Sequence, residues 1–334
     1  MPALARSPRR LRSCLTALVL ASLAPNPLFG CAATHAVVPP ASDLPAVDAK
    51  PETPPPPPVP EPPPPQPPLR PELPLGGREL FPAYRLVGFC GTPGGPALGP
   101  LDGNLPARAK KLATFAAQYG DDRKVMQVFE LIAVVVMGLP GADGKWRRRV
   151  PNSVVDDFLA QARASKGLLL INIQPGQSDF MTELKHYERY LREPDVGVTL
   201  DPEWAMKHGH KPGVFWGETT AKEINEVAAY LAGIVKEGDL PEKALVFHQV
   251  NRAVFREDAA LTQVPGVVMI KSVDGLGPKG TKIVTYKILT DTMSAGVHPG
   301  FKLFFEEDTR NGGALMTPKD VMRLTPLPDY VMYE

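Results

Sequence analysis

Eight short runs rich in apolar and β-branched residues recur between residues 84 and 334, and segments with helical periodicity or turn chemistry separate them. The runs are YRLVGFCG, VMQVFELIAVVV, LLLINIQPG, VGVTLD, KALVFHQ, GVVMIKSVD, FKLFFEED and DYVMYE. A run such as LLLINI has no polar alternation, so as a strand it is covered on both faces, which favours a parallel sheet over an antiparallel one. Between the runs lie LPARAKKLATFAAQYG, stopped by Gly120, and PNSVVDDFLAQARASKG, started by Asn152 and Ser153 and stopped by Gly167. DFMTELKHYERYLREP, TAKEINEVAAYLAGIVKEG and TPKDVMRL continue the helical series, with a short helix near Arg256–Leu261 and the less regular TKIVTYKILTDTMSAG. Caps of this kind and a 3.6-residue period mark amphipathic helices.

Eight βα units in about 250 residues match the size and count of a (β/α)8 TIM barrel, an α/β fold. The competing arrangement is an open doubly wound sheet. Its first βα turn requires G-x-G-x-x-G, and GFCGTPGGPALG has glycines at other spacings. The barrel is therefore the expected fold for residues 79–334.

The chain ahead of this domain has a different composition. Of the 40 prolines many fall between Val38 and Leu75, where VPPASDLPAVDAKPETPPPPPVPEPPPPQPPLRPELPL cannot bury a core. Extended polyproline at ~3.1 Å per residue would let Pro51–Pro74 span roughly 70 Å, a spacer or a ligand for a proline-binding module. Residues 31–78 are read as this linker and residues 1–30 as a secretory signal. Arg6, Arg9, Arg10 and Arg12 precede an apolar run from Leu15 to Ala24, too short for a membrane span.

The signal ends in Leu28-Phe29-Gly30-Cys31, which resembles a bacterial lipoprotein signal, although Phe29 is bulkier than the usual small residue. The resemblance implies lipidation of Cys31, anchorage to a membrane surface and residence in the bacterial cell envelope. Cleavage by an ordinary signal peptidase is the alternative. With Cys14 removed and Cys31 lipidated, only Cys90 remains, so no internal disulfide is available. Cys90, on an apolar strand, is expected to be a small core residue.

With 37 basic and 36 acidic residues, the charge balance does not suggest a nucleic-acid partner. No phosphate-binding loop, G-x-S-x-G elbow or Cys-His arrangement occurs, and no cofactor is implied. Polar residues instead gather where strands end, the functional face of a TIM barrel. Glu130 falls within the second strand; Gln174, Gln177 and Asp179 follow the third; Asp201 and Glu203 follow the fourth. His248 and Gln249 close the fifth, Lys271 and Asp274 the sixth, and Glu306, Glu307 and Asp308 the seventh. Strand alternation would put Asp201 with Glu203, and Glu306 with Asp308, on one face.

Glycoside hydrolysis needs one protonated and one ionised carboxyl group. Glu203 beside Trp204 suits the acid, with Asp201 or Glu306 as its partner and His248 as a further catalytic candidate. Glu130, Gln174, Trp204, Trp216 and Asp274 are the candidate substrate-binding residues, with Phe215 another ring for a sugar face. The strand end LDPEW resembles the D-x-E strand ends of barrel glycosidases, lysozyme-like muramidases among them. That likeness, confined to five residues, implies hydrolysis of a polysaccharide. The D-x-x-D-x-D-x-E signature of chitinase-like barrels is absent.

A barrel that binds a glycan or protein without turnover would use the same cleft. In a third reading, His208 and His210 of KHGHKPG join the carboxylates in a metal-assisted hydrolase, though no metal ligand set is assigned. Arg147–Arg149 is expected to be a solvated loop. The strand ends do not by themselves distinguish a salt-bridged strand terminus from a catalytic pair.

Overall fold

The structure, a computed structural model, describes residues 70–207 and 209–334. The signal segment, Cys31 and the proline-rich run as far as Leu69 lie outside the described residues, as does His208. The strands are β1 (Tyr84–Gly91), β2 (Lys124–Val136), β3 (Arg147–Arg149), β4 (Leu168–Ile173), β5 (Val196–Leu200), β6 (Lys243–Gln249), β7 (Val267–Val273), β8 (His298–Leu303) and β9 (Tyr330–Tyr333). The helices are α1 (Leu105–Ala116), α2 (Asn152–Ala164), α3 (Phe180–His186), α4 (Glu188–Leu191), α5 (Ala221–Gly238), α6 (Lys279–Thr290) and α7 (Pro318–Val321).

Eight strands run parallel in the order β1-β9-β8-β7-β6-β5-β4-β2, and β1 pairs with β2 to close a (β/α)8 barrel. The eight apolar runs are these eight strands. The ninth, β3, pairs antiparallel with the end of β2, Val134 opposite Arg149. Where β2 meets β4 its register slips between Ile132 and Val134, a bulge at the barrel's upper rim.

Strand alternation divides the core in two. Val87, Phe89, Leu131, Ile171, Val198 and Phe247 face the helices in the larger cluster. Leu86, Met126, Val128, Leu170, Val246, Ile270 and Met332 face the barrel axis. Space on the axis is tight: a Cβ on Gly88 would come within 2.6 Å of Val128 O and Met332 Cε. Only a glycine fits there.

Leu73 and Leu80 belong to the inner cluster, with Leu75 and Phe81 packed against it. Residues 70–81 thus cover the N-terminal end of the barrel. They are fastened by Leu80 N–H to Glu242 Oε2 at 2.7 Å, Tyr84 OH to Gly76 O at 2.6 Å and Arg78 Nη2 to Leu240 O at 2.8 Å. The linker boundary at residue 78 therefore falls inside a segment whose leucines fill the barrel floor.

Local chemistry starts the helices as the sequence indicates. Asn104 caps α1 by accepting from Ala107 N–H, and Thr220 with Glu223 forms a capping box on α5. Arg147–Arg149 departs from the expected solvated loop. Arg147 Nε and Arg149 Nε donate to the two oxygens of buried Glu183 on α3, at 2.8 and 2.7 Å. A fully buried carboxylate needs such cationic partners, and β3 delivers them.

Candidate functional site at the C-terminal end of the barrel

Along each strand the inward-facing positions change from apolar at the floor to polar at the top. On β2 the inner series is Met126, Val128, Glu130; on β4 it is Leu168, Leu170, Asn172, then Gln174 beyond the strand. On β6 it is Ala244, Val246, His248, and on β7 Val268, Ile270, Ser272, then Asp274. Thr199 and Asp201 continue β5, Lys302 stands on β8, and Tyr330 lies on β9 with Glu334 following it. The two-residue period therefore aims these groups at a common axis at the end where βα loops open.

Asn172 Nδ2 joins two carboxylates, donating to Glu130 Oε1 at 2.8 Å and to Asp201 Oδ1 at 3.0 Å. Gln174 Nε2 holds the other Asp201 oxygen at 2.9 Å. Glu130 Oε2 accepts from Tyr330 OH at 2.5 Å and from Thr199 Oγ1 at 3.2 Å. His248 Nδ1 faces the Asp274 carboxylate at 2.9 and 2.7 Å, and Ser272 Oγ donates to Asp274 at 2.9 Å. His248 Nε2 points at 3.3 Å to Glu130 Oε1 and 3.9 Å to Asp201 Oδ1, within ion-pair range but without a directed hydrogen bond. Lys302 Nζ bridges Glu334 at 2.6 Å and Asp274 at 3.4 Å.

The environments drive the carboxyl groups apart. Burial opposes the Glu130 charge, yet His248, Lys302 and the Tyr330 hydroxyl hold its pKa down to about 2. Burial likewise opposes Asp274, which His248 and Lys302 hold below the usual carboxylate range. Burial lifts Asp201, with the Glu130 charge adding to the rise and His248 and Lys302 restraining it. Glu203 goes up furthest above its ordinary range, through burial first and then the charges of Asp201 and Asp274. Burial disfavours the His248 cation, but Asp274 and Glu130 more than restore it. For Lys302, burial is outweighed mainly by Glu334 and Asp274. Environment thus favours a neutral Glu203 alongside ionised Glu130 and Asp274.

Small differences in exposure rank the groups by depth. Glu130, Asn172, Thr199 and His248 are 0% exposed, whereas Asp201, Gln174 and Glu203 retain 3%, 4% and 6%. Asp201 and Glu203 therefore lie nearer the opening, and Glu130 and His248 behind them. One Glu203 oxygen, Oε2, has no hydrogen-bond partner, nor has Asn172 Oδ1.

Asp201, Glu203, His248, Glu130, Gln174 and Asp274 thus share one neighbourhood. Glu203 reaches it from a 3-10 turn, Pro202–Trp204, because β5 ends at Leu200, so strand alternation does not govern its position. Glu306 does not join the cluster: β8 ends at Leu303, and Glu306 is exposed in the following turn. There it lines a cavity of about 220 Å³ with Arg108, Lys111, Phe305 and Glu334, the last of which also pairs with Lys302. Asp308 pairs with Lys282 at 3.0 Å instead of extending a Glu306 face. Lys271 points out of the barrel, paired with Asp258 and donating to Leu289 O at 3.2 Å. Gln177 Nε2 donates to His210 O at 2.8 Å, and Asp179 caps α3.

Trp204 is half-buried; Phe215 and Trp216 are exposed on the loop beyond. The His210 ring stacks on Phe215 at 4.5 Å between centroids. Cys90 is buried, its thiol 3.5 Å from Glu334 Oε2, and burial pushes its pKa up, away from nucleophilic use.

The residues not anticipated are Asn172, Thr199, Ser272, Lys302, Tyr330 and Glu334. A period-two signal for two of them was present: a lysine inside FKLFF and an asparagine inside LLLINI are polar residues on otherwise apolar strands. No protein-family model matches the chain, and comparison with curated proteins gives no match.

Proposed function

We propose that the barrel is a glycoside-hydrolase-type domain acting on a polysaccharide of the cell envelope or surroundings, in a lipoprotein anchored through Cys31. The supporting observation is the pair nearest the opening: Glu203, lifted furthest above the carboxylate range, next to Asp201, which two side-chain amides hold by both oxygens. Glycosidic cleavage requires an acid that protonates the leaving oxygen and a carboxylate that attacks the anomeric carbon or activates water. Burial raises Asp201 as well, while His248, Lys302 and the Gln174 amide favour its charged form. Glu203 is the acid and Asp201 the nucleophile or base. Glu130, His248 and Asp274 act behind them, fixing the amide and the local charge. Trp204 and Trp216 offer ring faces for sugars.

Glu203→Gln and Asp201→Asn test the assignment against a panel of envelope polysaccharides. Each is expected to lower turnover by about 10²–10⁴-fold with little change in fold. Wild-type turnover that either variant leaves intact removes that residue from the mechanism. The burial and internal pairing of Glu130, His248 and Asp274 also suit a non-catalytic glycan-binding barrel. Wild type that binds a glycan and never cleaves it supports that second reading.

A further inference from the structure

Among the described residues, the exposed large hydrophobics fall in two groups. Leu139, Val214, Phe215 and Trp216 stand on loops beyond β2 and β5; Leu276, Ile283, Val284 and Ile288 lie on α6 or just before it. The exposed positions of α2 and α5 hold only polar residues, alanine and glycine. Helix α6 buries Lys282, Tyr286, Leu289 and Thr290, and on its opposite side presents Val284, 58% exposed, with Ile288 beside it at 43%. Apolar residues on both faces are why TKIVTYKILT shows no clean helical period. A helix that is apolar all round has a second surface to cover.

The geometry points to a second copy of this chain as the cover, with the two α6 helices antiparallel across a two-fold axis at Val284. Gly280, Val284 and Ile288 are four residues apart and form one ridge along the outward face. The axis sets Ile288 of each copy over Gly280 of the other. Gly280 is exposed, and a Cβ built there meets nothing within 4 Å, so its own chain gives no steric reason for glycine at this position. A missing side chain in a branched ridge gives the facing isoleucine a seat. Charge agrees: Lys279 stands at one end of the ridge and Asp291 at the other, both exposed. Antiparallel helices bring each lysine toward the other copy's aspartate, whereas parallel helices would set like charges together. Lys287, also exposed, falls opposite the other copy's Thr281 and away from its own twin. Lys279 holds Asp320 at 2.6 Å, so Lys279 and Lys287 are balanced by Asp291 and Asp320, and the face lacks the net positive charge that anionic lipid attracts. One helix face is smaller than the ~800 Å² per partner of a standard interface, which puts the dissociation constant at about 1–100 µM.

Cysteine substitution in the full chain tests this. Val284→Cys puts two thiols face to face at the axis, and a disulfide needs Cα atoms about 4.4–6.8 Å apart. Under mild oxidation it is expected to give at least about tenfold more cross-linked dimer than Asp157→Cys, an exposed control on α2, with wild type reporting the native cysteines. Adding Gly280→Leu enlarges the apolar face and favours the helix but fills the seat, and is expected to cut that yield about tenfold. Sedimentation in neutral detergent reads the same equilibrium without a new cysteine: wild type is expected to self-associate and Ile288→Glu to lose it, with thermal unfolding confirming the fold of each variant. Cross-linking no greater than the control, or a wild type that stays monomeric, overturns the dimer. A yield that Gly280→Leu leaves unchanged or raises overturns the antiparallel seating. Binding of the Cys31→Ala chain to phosphatidylcholine vesicles that Val284→Glu abolishes, without cross-linking at position 284, makes a membrane the occupant and overturns the proposal.

Discussion

Glu130 and Glu203 are both buried carboxyl groups, yet pH should act on them in opposite directions. Glu130 has a pKa of about 2 in the fold, below the ordinary value of 4.5. Its contribution is present above pH 4.5 and is lost as pH falls toward 2, because the unfolded chain takes up the proton first. The gap between the two values corresponds to a contribution of the order of 3 kcal/mol. Thermal midpoints from pH 7 to 2 are expected to fall steeply for wild type and less steeply for Glu130→Gln. Glu203 is raised instead, so the folded protein binds that proton more tightly than the unfolded chain. Its contribution is full below pH 4.5 and declines as pH rises toward the folded pKa. Glu203→Gln should therefore match or exceed the wild-type midpoint at neutral pH while losing turnover. A lower midpoint with unchanged activity would mean that Glu203 serves the fold and not catalysis.

At the scale of elements, two segments outside the barrel wall contribute more than their polar sequences suggest. Residues 70–81 put Leu73 and Leu80, 3% and 0% exposed, into the barrel floor. A chain beginning at Arg70 should unfold at the midpoint of the longer protein. One beginning at Pro82 should lose several kcal/mol, since emptying a buried leucine site costs about 2–5 kcal/mol. Equal midpoints would show that the floor closes without the segment. The short strand β3 depends similarly on one carboxylate. Glu183→Ala leaves Arg147 and Arg149 without their buried partner and should destabilise the domain by about 3–5 kcal/mol. Hydrogen exchange should locate the loosening in residues 137–149. Neither contribution follows from a local pattern: the leucines sit among prolines and the arginines form a charge run. The inner core cluster that the leucines join, and Glu183 for the arginines, are assembled from residues distant in sequence only after the chain folds.

For the whole molecule, the proposed anchorage through Cys31 can be tested separately from the fold. Cys31→Ala should abolish incorporation of a fatty-acid analogue and release the protein from the membrane fraction. Continued membrane association of an unprocessed mutant would refute lipidation at this cysteine. Strand number, parallel order and the place of the polar residues at strand ends were legible in the chain, because apolar runs, caps and glycine stops act locally. The gathering of Asp201, Glu203, His248, Glu130, Gln174 and Asp274 at one end of the barrel was legible for the same reason. All but Glu130, which lies inside the β2 run, stand at or just past the point where an apolar run turns polar.

The meeting of those groups depends on closure. Closure and register bring Glu130 from β2 against Tyr330 from β9, 200 positions later, at 2.5 Å. They also make Lys302, one charge in an apolar strand, the partner of Asp274 and Glu334. The same geometry removes Glu306, since β8 stops three residues before it and an exposed turn begins. Local sequence sets strand and helix through side-chain periodicity and capping. Which inward side chains share an axis, and which carboxyl stays neutral there, are set by register, burial and neighbouring charge, and those arise only when the eight strands close.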